Sequence, residues 1–78
     1  MLDRIVAKKK IGIKQCLKFI TEGKVLYVAK DADSKLTEPL INLAKQNNVK
    51  IVEITTMKEL GKMSGIDVNS SATLCLEE

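Results

Sequence analysis

Val25-Leu26-Tyr27-Val28-Ala29, followed by Lys30-Asp31-Ala32-Asp33-Ser34, is the stretch that decides the fold. A continuous apolar run of this length reads as a central strand covered on both faces. The polar turn behind it ends the strand and supplies Asp33 or Ser34 as the cap of a helix. Leu36, Leu40, Ile41, Leu43 and Ala44 form the inner stripe of that helix, and Asn47-Asn48 closes it. Pro39 lacks a backbone donor and tends to bend a helix interior. Either the turn before it is irregular or the regular helix starts at Thr37 or Glu38, and the sequence leaves both open.

Further along, Val49-Lys50-Ile51-Val52-Glu53-Ile54 reads as the next strand. Thr56-Met57-Lys58-Glu59 matches a capping box, and Leu60 and Met63 give the buried side of the short helix it opens. Gly61 inside that helix implies close packing, because a mid-helix glycine otherwise costs about 1 kcal/mol relative to alanine. Gly65 is the stop, Ile66–Ser70 a loop, and Ser71–Leu76 the last strand. Upstream of the central strand, Ile13, Cys16, Leu17 and Ile20 recur at helical spacing. They predict a helix from Gly12 to Glu22, ended by Gly23 in the left-handed conformation. A short strand is placed around Lys10 and Ile11. Leu2, Ile5 and Val6 have the spacing of a short docking helix over residues 2–7. Strands alternating with helices give an α/β fold with crossover connections. The expectation is a three-layer α/β/α sandwich on a small mixed sheet of about four strands, a single domain over residues 1–78.

Composition narrows the function. The chain has 78 residues, 45% hydrophobic, with Phe19 and Tyr27 as its only aromatics. No apolar run approaches the roughly 20 residues needed to span a bilayer. The N-terminal residues lack an apolar signal core, so the expected setting is the cytoplasm, with no membrane partner. Cys16 and Cys75 both fall in apolar patterns and read as buried, reduced thiols. There is no histidine, which removes the usual general base near neutral pH and the commonest metal ligand. The reading is therefore no enzyme, no metal and no cofactor. Asp31 and Asp33 form a carboxylate pair on paper, but turn formation and helix capping account for them better than acid–base chemistry.

The net charge of +3 is unevenly spread. Residues 1–24 hold seven basic residues against Asp3 and Glu22, giving +5, whereas residues 25–78 hold six against eight acids, giving −2. The positive charge gathers around Ile11-Gly12-Ile13-Lys14-Gln15-Cys16-Leu17-Lys18. Lys14, Gln15 and Lys18 share one helix face, and Gly12 leaves the first helical N–H groups open to a partner. Two ammoniums, an amide and a positive dipole end suit a polyanion. Without aromatic platforms, stacking of single-stranded bases is not the mode.

Two segments together carry a family resemblance: Gly12-Ile13-Lys14-Gln15-Cys16-Leu17-Lys18, and Met57-Lys58-Glu59-Leu60-Gly61-Lys62-Met63-Ser64-Gly65-Ile66-Asp67-Val68. With Val28-Ala29-Lys30-Asp31-Ala32-Asp33 between them in the right order, the chain resembles the kink-turn-binding ribosomal-protein family of the L7Ae and L30e type, in particular its short bacterial members. The resemblance implies an RNA-binding module. Its target would be a sharply bent helix–internal loop–helix with tandem sheared G·A pairs, in ribosomal or regulatory RNA, with the ribosome itself as a further partner. By the same resemblance, Gly12 and Ile13 present backbone groups to the RNA. Lys14 and Gln15 read guanine edges, and Lys18 faces the same groove. Ile66, Asp67, Val68, Asn69 and Ser70 cover a base extruded from the loop. Apart from the resemblance, Lys62 is placed beside that loop to reach the phosphate backbone. Where the archaeal members carry Asn-Glu, this chain has Lys14-Gln15, which raises phosphate attraction and salt sensitivity. Asn69-Ser70-Ser71 stands where a smaller, more apolar run is usual. For Ile66 and Val68 the alternatives are even: one packs in the core while the other faces RNA. The other function class is a protein-interaction domain whose basic helix faces an acidic partner. The chain is expected to be a monomer.

Overall fold

The computed structural model describes residues 8–77, so the helix expected over residues 2–7 lies outside the described residues. Strand β1 (Lys9–Ile11) leads into helix α1 (Ile13–Phe19), which tightens into a 3-10 turn over Ile20–Glu22. Strand β2 (Val25–Ala29), helix α2 (Ser34–Gln46), strand β3 (Lys50–Ile54), helix α3 (Met57–Ser64) and strand β4 (Ala72–Cys75) follow. The sheet order is β1-β4-β2-β3. β4 runs antiparallel to both neighbours, with Ile11 opposite Thr73 and Val28 opposite Ala72, and β2 runs parallel to β3, with Ala29 beside Ile54. β1, β2 and β3 therefore point the same way, and the N-termini of all three helices open at one end of the sheet.

Alternation along the central strands splits the core in two. Leu26, Val28, Ala72 and Leu74 face Cys16 and Ile20 of the first helical segment and Leu40 and Ala44 of α2. Val25, Ala29 and Cys75 face Leu60 of α3, with Tyr27, Val52, Met57 and Met63 packed around them. Helices thus cover both faces of the mixed four-stranded sheet, the three-layer α/β/α arrangement expected from the alternation of elements. The apolar run Val25–Ala29 is buried except for half-buried Tyr27. The two thiols lie on opposite faces of the sheet, unpaired. Burial pushes the Cys16 thiol up to about 12 and raises that of Cys75.

Two local expectations are corrected, and the choice left open at Pro39 is resolved. Gly23 is not left-handed: its φ is −74°, and its N–H bonds Ile20 O at 3.1 Å. The 3-10 turn has already ended the helix, and glycine is needed because a Cβ would collide with the buried side chain of Leu74. Leu36 is 51% exposed. The buried line of α2 runs through Thr37, Leu40 and Ala44 instead, at i, i+3 and i+7, which turns Leu36 to the margin of the first turn. Pro39 sits inside an α2 that begins at Ser34. The first turn is tightened, with Leu36 N–H and Thr37 N–H both donating to Asp33 O at 2.9 and 3.2 Å. Of Lys8, Lys9 and Lys10 only Lys8 is exposed, because the other two lie in β1.

Candidate nucleic-acid interface

Gly12 joins β1 to α1 with φ 99° and ψ 156°, a conformation in which essentially only glycine is at ease. Its N–H donates to Ala72 O and its carbonyl accepts from Cys16 N–H, both at 2.9 Å. The chain therefore leaves the sheet and enters the helix within one residue. The N–H groups of Ile13, Lys14 and Gln15 have no partner within the helix, and no side chain caps them. A Cβ on Gly12 would meet nothing within 4 Å, so the space beside it is open. Ile13 is half-buried against the core while Lys14, Gln15 and Lys18 are exposed together. Cys16 and Ile20, fully or nearly buried on the opposite face, fix that orientation.

Phe19 extends the basic surface. The Lys10 ammonium lies 4.3 Å from its ring centroid and that of Lys18 lies 5.6 Å away. One ring from α1 thus gathers cations from β1 and from the helix.

The loop before β4 meets the same end of the sheet. Ala72 O receives the Gly12 N–H and Ser71 O receives Ala29 N–H at 3.0 Å, so residues 71–72 lie between the start of α1 and the end of β2. Gly65 closes α3 with φ 79°, in the left-handed conformation expected of a stop. Ile66 N–H then bonds Gly61 O at 3.1 Å, and Ser70 N–H bonds Met57 O at 3.0 Å, folding the loop back along α3. The close approach expected at Gly61 is made by this loop: a Cβ there would collide with the Val68 carbonyl oxygen. Asp67, Val68 and Asn69 are exposed, Val68 at 69%, whereas Ile66 is half-buried. A cleft of about 280 Å³ opens here, lined by Lys58, Lys62, Ile66, Asp67, Val68 and Asn69. Lys58 was not among the expected site residues. Its i, i+4 spacing to Lys62 is the signal that places both on one face of α3.

Ser70 faces inward. It is 2% exposed, and its hydroxyl donates to Ala72 O at 2.9 Å and lies 3.1 Å from Thr73 Oγ1. Its side chain is part of the base of the loop and offers nothing to an outside partner, in contrast to the covering role expected of it. The acidic turn is likewise spoken for. Asp33 Oδ1 accepts from Lys35 N–H at 3.0 Å, and Asp31 Oδ1 accepts from Met57 N–H at 2.8 Å, capping α3 across 26 residues. Among the described residues no cluster of three or more His, Cys, Asp or Glu could hold a metal ion. No helix among them is long and apolar enough to cross a membrane.

Comparison with protein-family models matches residues 4–78 to the ribosomal protein L7Ae/L30e/S12e/Gadd45 family. The chain belongs to that family. Among curated proteins it is 40% identical over 73 residues to RNA-binding protein TTE2299 of Caldanaerobacter subterraneus subsp. tengcongensis, covering 91% of this chain and 89% of that one. It is 42% identical over 64 residues to an RNA-binding protein of Bacillus pumilus, covering 80% and 78% of the two chains. RNA-binding protein YbxF of Geobacillus stearothermophilus is 35% identical over 68 residues, 85% of this chain and 83% of that one. Family membership agrees with the element order and the mixed sheet.

Proposed function

We propose that this member of the family is a non-catalytic RNA-binding protein that recognises kink-turn RNA, in ribosomal RNA or a related ribonucleoprotein, and acts as a monomer. The family and the names of its relatives support RNA binding without catalysis. One observation carries the finer reading. The exposed Lys14, Gln15 and Lys18 face and the exposed Val68 loop converge on the same end of the sheet, joined through the Gly12–Ala72 bond. Such a pair of surfaces fits a bent RNA that offers a groove and an extruded base side by side.

The division of labour follows from the groups. An undistorted A-form major groove is too narrow for side chains, so a helix end needs RNA already opened at an internal loop. There Lys14 donates to guanine O6 and N7, and the Gln15 amide both donates and accepts. Lys18 and Lys10 meet phosphates, and so do Lys58 and Lys62 at the cleft, where Val68 lies over the extruded base. Ile13 contributes only its backbone, and Ser70 only support from beneath.

An electrophoretic titration tests this with a kink-turn RNA beside a copy whose G·A pairs are replaced by Watson–Crick pairs. Tight binding to the first and its loss on the second is the expected result, and Lys14→Ala with Gln15→Ala should abolish the preference. Equal, salt-sensitive binding to both would reduce the surface to a generic basic patch. Binding to neither would refute the reading and turn attention to an acidic protein partner.

A further inference from the structure

Between α3, β4 and the loop lies a chain of three hydroxyls. Thr73 Oγ1 is 2.6 Å from Ser64 Oγ and 3.1 Å from Ser70 Oγ. Ser64 in turn donates to Leu60 O at 2.7 Å. All three residues are 2% exposed or less. Three protons serve four contacts when Ser64 gives its proton to Leu60 O, Thr73 gives to Ser64, and Ser70 shares one proton between Ala72 O and Thr73. Thr73 is the only member that touches both others. It sits in β4 opposite Ile11, one residue from the Ala72 carbonyl that holds Gly12.

We infer that Thr73 is a positioning residue for RNA binding, whose hydroxyl ties the base of the 66–70 loop to α3 and so holds Val68 and Asn69 in place. The inference rests on the reading above for the RNA and on the hydrogen bonds alone for the loop. Replacing Thr73 by valine keeps the volume and removes the hydroxyl. Ser64 keeps its bond to Leu60 O and Ser70 keeps its bond to Ala72 O, so no donor is stranded. What disappears is the link between the two.

Amide hydrogen exchange on the free protein reads the loop directly. In Thr73→Val the Ile66 and Ser70 amides should exchange about five- to tenfold faster, the factor of one ordinary hydrogen bond. The Val28 amide of the central strand should change by less. A merely structural role would speed all three by one common factor, and that result, or no change at the loop, would overturn the inference without reference to RNA. On the kink-turn RNA, dissociation should quicken by a similar factor, and Thr73→Ser should restore both readouts. Ser70→Ala breaks the same link from the other side and also removes the bond to Ala72 O, so its loop amides should exchange at least as fast as in Thr73→Val, and it stands in if the valine variant does not fold. A looser loop with unchanged RNA dissociation would refute the positioning role. Failure of the unaltered protein to prefer the kink-turn would instead refute the reading on which that role depends.

Discussion

Gly61→Ala sets two known effects against each other, and the structure decides which wins. Alanine is favoured over glycine in a helix interior by about 1 kcal/mol. Against this, the new Cβ would collide with the Val68 carbonyl oxygen, with the Val68 carbonyl carbon at 3.2 Å and Asn69 Cα at 3.3 Å. These are backbone atoms of the loop, so no rotamer change relieves them. Overpacking of this kind costs about 1–3 kcal/mol. Pushing the loop outward also strains the bonds from Ile66 N–H to Gly61 O and from Ser70 N–H to Met57 O, each worth about 1 kcal/mol. The net expectation is a loss of about 1–3 kcal/mol. For a chain of this size each kcal/mol lowers the melting temperature by about 4–8 °C. Thermal unfolding followed by circular dichroism measures it, and RNA titration at a temperature where both proteins are folded should show at least tenfold weaker binding. A variant that melts several degrees higher, with RNA affinity intact, would mean that the loop does not pack on Gly61, and the argument for the cleft would fall with it.

Gly12→Ala should lose about 1–3 kcal/mol by urea denaturation, because φ 99° with ψ 156° strains any residue with a side chain, although the space beside it is empty. Phe19→Leu should cost about 1 kcal/mol, since two cation contacts are lost, yet leave the salt dependence of RNA binding unchanged. Lys18→Gln should do the reverse, lowering the slope of log affinity against log salt by about one. Burial raises the Cys16 thiol from 9 to about 12, so the folded state disfavours the thiolate relative to the unfolded chain. Stability is then fully present below pH 9 and falls as pH rises from 9 towards 12, by up to about 1.4 kcal/mol per pH unit. Urea midpoints at pH 8, 9 and 10 should fall less steeply in Cys16→Ala, and parallel profiles would show that the thiol is not shielded.

What the sequence disclosed and what it withheld divide along physical lines. Val25–Ala29 announces itself because a strand buried on both faces needs no alternation. Thr56 with Glu59 announces a helix start, and Thr56 Oγ1 indeed accepts from Glu59 N–H at 3.1 Å. Lys14, Gln15 and Lys18 are legible as one face because helical spacing alone groups them. Gly23 was misread because two demands select glycine, a positive φ and a lack of room, and only the distant Leu74 tells them apart. Leu36 was misread because periodicity marks a stripe without saying where its centre falls at a helix end. Ser70 was placed on the surface because the resemblance carries the whole 66–70 loop over as one cover, without regard to which way each side chain turns. Its partner Thr73 lies in a strand whose burial on both faces is set by elements elsewhere in the chain. Asp31 capping α3 across 26 residues is invisible to any local rule.

The same division separates charge from shape in the interface. Lys14, Gln15, Lys18, Lys58 and Lys62 are solvent-exposed, and each rests on a helix whose core contacts come from other residues. Substituting them changes attraction to RNA and its salt dependence while leaving the fold almost untouched, since exposed charges contribute little to stability. Gly12, Gly61 and Thr73 carry no charge and set where the two surfaces stand. A change at any of them alters stability or loop order before RNA is added. Plotting loss of affinity against loss of stability for the two groups should therefore give two separate trends, one vertical and one inclined. If the lysine variants fell on the inclined trend, the basic face would be part of the folding core rather than a surface set upon it, and its assignment to RNA would lose its physical basis.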